Sequence, residues 1–478
     1  MDLALLERFQ KSMLYYLGFP PTEGQKMLLL KLSAFALSNS RGQVFLLKGY
    51  AGTGKTTIVS TLVKSLPVLR QQSVLLAPTG RAAKVLAGYS NQRAYTIHKY
   101  IYYTESSPDG QFSLSTAPNK HKNTTFIVDE ASMIPDRSAG PNGSIMTARN
   151  ILDDLMEFVF SGENCKLLLL GDQAQLPPVG LDISPALDLE NLKSRYPFHF
   201  HYHELTEVVR QAEESGILFH ATELRKRLAA KDFHLPLFKK NQYNDFVDVP
   251  GMDLQDALED AYSNGNVENC IIVTRSNKRA NQFNQEIRNR ILFREGEING
   301  GDYLMVVKNN YFWLPKESKA GFIANGDIIE ILRVTKITEM YGFRFADISM
   351  RMIDYPEEKE MEVRILLNTL DSETPSLPRA EAEKLWYSIM EDYSDVKGNK
   401  KKAELVKSNP WFNALQVKFA YALTCHKTQG GQWDHVFVDQ GYITEKHIDQ
   451  EWFRWLYTAI TRGVKKTYMV NFRDIFWD

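Results

Sequence analysis

Eight residues near the start of the chain, Gly49-Tyr50-Ala51-Gly52-Thr53-Gly54-Lys55-Thr56, limit the possible folds more than any other feature. An apolar run, Val44 to Leu47, precedes them, and a helix-forming stretch from Thr56 to Leu66 follows and stops at Pro67. A glycine-rich turn between a buried strand and a helix is a P-loop. Its glycines let successive N–H groups point inward at phosphate oxygens, and the helix N-terminus adds its dipole. Gly49, Gly52, Thr53, Gly54, Lys55, Thr56 and Thr57 are therefore candidate nucleotide-binding residues. Lys55 supplies positive charge to the β- and γ-phosphates of ATP, and Thr56 offers a hydroxyl to Mg2+.

A P-loop needs a sheet around it. Three more apolar runs, Val74 to Ala77, Phe126 to Val128 and Leu167 to Leu170, suit parallel strands covered by helices on both faces. The third of these four runs ends in Asp129-Glu130. Beside a P-loop such a pair has a clear use: Asp129 holds Mg2+ and Glu130 orients or deprotonates the attacking water. A second α/β set follows, with strands at Cys270 to Val273, Val436 to Val438 and Tyr468 to Val470 and helices at Lys278 to Arg290 and Glu451 to Thr461. For 478 residues, about three domains are expected.

Two insertions interrupt this plan. Tyr100 to Thr116 has β-prone flanks around Ser106-Ser107-Pro108-Asp109-Gly110, a hairpin signal. The longer one carries strand-like segments around Asn325-Gly326-Asp327, then a helical stretch from Pro378 with Leu385, Trp386, Ile389, Met390 and Tyr393 at helical spacing. Lys397, Lys400, Lys401 and Lys402 read as a solvated loop, with a nucleic-acid patch as the alternative. The expected division is 1–98 and 124–204 for a first ATPase domain, 99–123 for the hairpin, 205–298 and 411–478 for a second domain, and 299–410 for its insertion.

Charge and composition remove other classes. Lys plus Arg (57) against Asp plus Glu (58) leaves a net charge of −1, so any nucleic-acid surface must be local. Cys165, Cys270 and Cys425 form no Cys-x-x-Cys pair, which argues against a disulfide framework or a zinc ribbon. No apolar run approaches the roughly 18 residues of a membrane span, and the N-terminus does not read as a secretion signal. A cytoplasmic protein with no membrane partner is expected. His199, His201 and His203 share one strand face, but no carboxylate or cysteine nearby completes a metal site. Trp452 and Trp455 read as core.

A P-loop with an acidic pair does not separate a kinase, a transporter subunit and a motor. Further segments do. They are Leu75-Leu76-Ala77-Pro78-Thr79-Gly80-Arg81-Ala82-Ala83, Thr96-Ile97-His98, Gly171-Asp172-Gln173-Ala174-Gln175-Leu176-Pro177-Pro178, Arg210-Gln211, Thr424-Cys425-His426-Lys427-Thr428-Gln429-Gly430 and Tyr457-Thr458-Ala459-Ile460-Thr461-Arg462-Gly463. In this order they resemble the superfamily 1B helicases, the 5′→3′ branch that includes RecD and the phage Dda helicase. The resemblance covers nearly the whole chain.

It implies an α/β fold of two RecA-like parallel-sheet domains with ATP between them and single-stranded DNA across the top. The hairpin would separate strands, and the longer insertion would be SH3-like, with helices that brace the hairpin. Gln25 would read the adenine edge, Gln175 would sense the γ-phosphate, and Arg210 and Arg462 would reach it from the second domain. With Lys55 and Glu130 these form the implied catalytic set. Pro78, Thr79, His98, Thr424, His426, Lys427 and Gln429 would contact DNA. Tyr100, Tyr102 and Tyr103 could stack on bases or simply pack. The implied partners are single-stranded DNA and forked duplex, with a single-strand-binding protein as a further candidate and the chain acting as a monomer. An ATP-switched nucleic-acid-binding or remodelling subunit and an RNA helicase remain alternatives, since no residue here reads the sugar.

Overall fold

A computed structural model describes residues 3–106, 112–136, 150–208, 214–240, 242–263, 267–315, 318 and 322–478, with the side chains of 104–106 and 112–114 left undescribed. Among the described residues, no helix is long and apolar enough to cross a membrane.

The first six strands to be built around the P-loop form one parallel sheet. Their order is Ala94–Thr96, Gln72–Ala77, Thr124–Val128, Lys166–Gly171, Gln43–Gly49 and His199–Leu205. Alternate residues feed two cores, as strand geometry requires. Val44 and Leu46 pack with Phe126 and Leu167 on one face. Phe45 and Leu47 pack with Leu28, Ile58 and Leu62 on the other. The helix Lys55–Ser65 ends one residue before the expected limit, and Pro67 sits in the short 3-10 turn that follows.

The second sheet is also parallel, in the order Ala422–Thr424, Cys270–Thr274, Trp433–Asp439, Gly463–Val470 and Phe246–Val249. Two such sheets with helices packed on them make two RecA-like lobes. The helix Gln450–Ile460 lays Trp452, Trp455, Leu456 and Ile460 into the core against Val436 and Val438.

Five strands, Tyr303–Val306, Ile328–Met340, Phe343–Met352, Met361–Leu366 and Leu415–Phe419, close a barrel. The closing strand lies past the expected boundary at 410. Its core is continuous with one face of the second sheet, where Ile272, Phe437 and Ala422 meet Ile329, Ile348 and Ile365. Tyr341 and Gly342 turn the long ribbon with φ of 57° and 75°, the geometry of a type I′ hairpin. The helices Arg379–Glu391 and Asn399–Lys407 bury Leu385, Ile389 and Val406 against Phe343 and Phe345 at that ribbon. Among the described residues, the packing of these helices is thus on the barrel.

Three local expectations are corrected. Lys400, Lys401 and Lys402 lie in the helix Asn399–Lys407, not in a loop; lysine is a good helix former, Lys400 and Lys401 are exposed, and half-buried Lys402 donates to the Ser394 carbonyl at 3.0 Å. The helix Asn277–Glu286 passes into a π-helical turn, Ile287–Ile291, which aims Arg288 at buried Asp302, 3.1 Å away. Tyr100 belongs to the helix Ile97–Ile101 rather than to the hairpin Tyr102–Ser106/Phe112–Thr116. The hairpin tip, 107–111, lies outside the described residues.

Candidate nucleotide and nucleic-acid site

The P-loop runs from the strand Gln43–Gly49 into the helix Lys55–Ser65. Gly52 and Gly54 take φ of 73° and 84°, the left-handed region that glycine reaches without strain. A Cβ on Gly49 would come within 2.9 Å of Lys55 Cγ, so the loop also needs glycine for close approach. Lys55 Nζ donates to the carbonyls of Gly49 and Tyr50 at 2.5 and 2.9 Å. Thr53 is buried, its hydroxyl donating to Tyr50 at 2.8 Å, while Thr56 is half-buried and Thr57 exposed.

Asp129 and Glu130 follow the strand Thr124–Val128. Asp129 keeps some surface open to the cleft but is crowded by protein elsewhere. That desolvation, with the Glu130 charge beside it, pushes its carboxyl up to about 6. A cation relieves such a penalty, so Asp129 and the Thr56 hydroxyl are a donor set that fits Mg2+. Glu130 takes φ of 52°, unusual for a residue with a side chain, and its N–H donates to Asp129 Oδ1 at 2.8 Å. Gln175 is buried, and its Oε1 has no hydrogen-bond partner among the described residues.

Across the cleft, Arg462 follows the helix Gln450–Ile460 and is 4% exposed. Its Nη1 lies 3.8 Å from Glu130 Oε1, joining the lobes at the acidic pair. Arg210 lies outside the described residues.

Gln25 is 1% exposed and bonded at both ends of its amide. Its side-chain oxygen accepts the Thr22 N–H at 3.1 Å in a capping box, and its Nε2 donates to the Thr53 carbonyl at 3.2 Å. Here it fastens a helix to the P-loop, and at 1% exposure it presents no surface to a base in this conformation.

The residues read as a DNA face come from both lobes. Pro78 and Thr79 open the helix Gly80–Ser90, where Thr79 caps by accepting the Ala82 N–H at 3.2 Å. His98 packs on Tyr102 in the first lobe, and burial pushes its imidazole down to about 4. Thr424 precedes the short helix Cys425–Thr428, and His426 and Lys427 lie within it. Lys427 Nζ has no partner among the described residues, and burial lowers its ammonium to about 8. Lys427, Gln429 and Thr79 line one cavity with Arg81, Tyr303 and Trp433. Gln429 Nε2 also donates to the Leu176 carbonyl at 2.7 Å, tying this face to the turn after the acidic strand's neighbour. Of the three tyrosines, Tyr100 bonds His121 at 2.8 Å, Tyr102 bonds Asp154 at 2.6 Å, and Tyr103 is 42% exposed.

Some seam residues were not singled out from sequence. Arg81 stacks over Trp433 at 4.8 Å from the ring centre, inside a segment already notable. Arg225 sits 4.4 Å from the Tyr50 ring centre and left no signal beyond its helix. Lys99 meets Asp327 of the barrel at 3.1 Å with both side chains buried. A Cβ on Gly80 would fall 2.5 Å from Asp327 Oδ1, so only glycine lets the barrel approach there. His201 bonds Gln43 at 2.7 Å and His203 bonds the Gly24 carbonyl at 3.0 Å; no metal-holding cluster occurs among the described residues.

A P-loop, an acidic pair and an arginine from a facing lobe are the parts of a two-lobed P-loop ATPase. A family model described as an AAA domain matches residues 31–234, and one described as a UvrD-like helicase C-terminal domain matches residues 419–470. The chain is 24% identical over 482 residues to the ATP-dependent DNA helicase dda of Enterobacteria phage T4, covering 92% of this chain and 97% of that protein. It is 30% identical over 176 residues to the ATP-dependent RecD2 DNA helicase of Deinococcus radiodurans, covering 37% of this chain and 21% of that protein. The solved Pif1 helicase from Bacteroides in complex with ADP-AlF3 and ssDNA aligns over 96% of this chain and 95% of its own, at 15% identity and a TM-score of 0.46. Through these matches the chain resembles helicases of the Pif1/RecD/Dda-like branch, and it is an ATP-hydrolysing enzyme of the helicase class.

Proposed function

We propose that this chain is a DNA helicase that hydrolyses ATP between its lobes, moves 5′→3′ along single-stranded DNA and unwinds forked duplex. The observation that carries the reading is Arg462, rooted in the second lobe and 3.8 Å from Glu130 in the first. A guanidinium placed across a cleft stabilises charge on a phosphate only while the cleft is closed, so hydrolysis and lobe spacing become coupled. The near full-length likeness to a phage DNA helicase supports the choice of substrate.

ATP with Mg2+ supplies the triphosphate and the charge that neutralises it. Lys55 would exchange its carbonyl partners for the β- and γ-phosphates, and Thr56 and Asp129 would hold the ion. Glu130 would orient the attacking water and take its proton, and Gln175 would sense the γ-phosphate. Pro78, Thr79 and His98 grip the strand from one lobe, Thr424, His426, Lys427 and Gln429 from the other. In this reading the hairpin separates the strands, Tyr103 stacks on a base, and the barrel is the SH3-like element. The chain acts as a monomer.

Steady-state ATPase assays with and without single-stranded DNA or RNA of one sequence test the coupling. DNA should stimulate turnover more than RNA, and strand displacement should require a 5′ tail on the fork. A rate indifferent to both polymers contradicts the motor, and a 3′ requirement contradicts the direction.

Lys427 predicts a pH dependence. Its ammonium is lowered to about 8, and only the charged form attracts phosphate. Binding to DNA should therefore weaken as pH rises from 7 to 9, with Lys427→Gln showing weaker binding at pH 7 and a flatter profile. Fluorescence anisotropy at fixed salt reads it.

A further inference from the structure

Adjacent residues on the helix Gln450–Ile460 carry hydroxyls that both leave their own lobe. Tyr457 is fully buried; its hydroxyl accepts the Ala51 N–H of the P-loop at 2.9 Å and donates to Asp172 Oδ2 at 2.5 Å. Thr458 Oγ1 accepts the Leu176 N–H at 2.9 Å. The other oxygen of Asp172 accepts the Ala174 N–H at 2.9 Å, so this carboxylate shapes the turn that carries Gln175. One phenol thus links the nucleotide loop, the turn bearing Gln175 and the helix that leads to Arg462.

The chemistry favours a specific use. Burial pushes the Tyr457 phenol well up, which keeps its proton available to Asp172. A phenylalanine would fill the same space, and a fully buried hydroxyl is retained without penalty only where its bonds are made. Ala51 lies just ahead of the left-handed turns at Gly52 and Gly54, so holding its N–H fixes where those turns begin.

We propose that Tyr457 is a positioning residue for ATP hydrolysis, aligning the P-loop and the 172–176 turn with the helix that presents Arg462; this rests on the ATPase reading above. Both bonds of the Tyr457 hydroxyl go to protein groups. It acts through Ala51, Asp172 and the registry of its own helix.

The test is Tyr457→Phe in the full chain, with Asp172→Asn and the double variant. The kcat for DNA-stimulated ATP hydrolysis should fall about tenfold with KM for ATP within about twofold. The double variant should be no slower than the worse single variant, because both remove one link. Melting temperatures should fall by only a few degrees, the cost of leaving Asp172 Oδ2 and the Ala51 N–H unpaired, and the affinity for a fluorescent ATP analogue should stay near wild type; unfolding together with lost affinity would make the role structural and overturn the proposal. Unchanged kcat in Tyr457→Phe, or losses that multiply in the double variant, would also overturn it while leaving the helicase reading intact. A wild-type chain without ATPase activity would remove that reading and the proposal together.

Discussion

Replacing Arg462 with alanine leaves a chain that still binds ATP but hydrolyses it about a thousandfold more slowly. The structure gives the reason in the way the guanidinium is held. Its Nε donates to the Thr458 carbonyl at 3.0 Å, and Nη1 and Nη2 reach the Gly431 carbonyl and the Thr461 hydroxyl at 3.3 and 3.4 Å. The second lobe therefore orients the group while leaving Nη1 within 3.8 Å of Glu130. A phosphate between the lobes would meet a preorganised cation, and charge that develops late in the reaction benefits most. Lysine restores little, because a point charge cannot keep that set of planar contacts. Single-turnover hydrolysis and titration with a fluorescent ATP analogue check the result. Equal losses in binding and turnover would place Arg462 in ground-state binding instead. A thermal melt guards against the trivial outcome, since alanine removes the buried guanidinium's bonds to the Thr458 and Gly431 carbonyls.

Lys55→Ala should abolish measurable hydrolysis, at least a hundredfold loss by analogy with other preorganised cationic contacts, and leave DNA affinity near wild type. Lys55 Nζ now rests on the carbonyls of Gly49 and Tyr50, two acceptors that a triphosphate can replace without moving the backbone. Alanine removes the charge and leaves the loop intact, because the Gly52 and Gly54 turns do not depend on it. Turnover by coupled assay and DNA binding by anisotropy, measured on one preparation, decide the matter. Unchanged turnover would mean that the loop does not hold the reacting phosphates.

The parallel strands were legible because burial on both faces produces unbroken apolar runs. Phe126-Ile127-Val128 and Cys270 to Val273 stand out against any polar background. The barrel ribbon Ile328–Met340 was less legible: its outer half faces solvent, so charged residues interrupt the pattern. The Lys400 to Lys402 helix was missed for a related reason, since Val406 is its one buried residue and periodicity had nothing to register. At the site, local sequence carried the loop glycines, Lys55 and the acidic pair. It could not carry Gln25's bond to Thr53 or the phenol of Tyr457, which depend on residues 28 and 406 positions away. Long-range partners leave no local spacing to read.

The junctions of the barrel differ in kind. Toward the second sheet it shares a dry apolar interior, and toward the first lobe it offers charges, with Lys99 on Asp327 and Lys84 3.8 Å from Asp354. Oily contacts shear poorly, whereas charged ones can be re-formed through water. Any change in the spacing of the two lobes will thus carry the barrel along as cargo of the C-terminal half, with the slip concentrated where Gly80 faces Asp327.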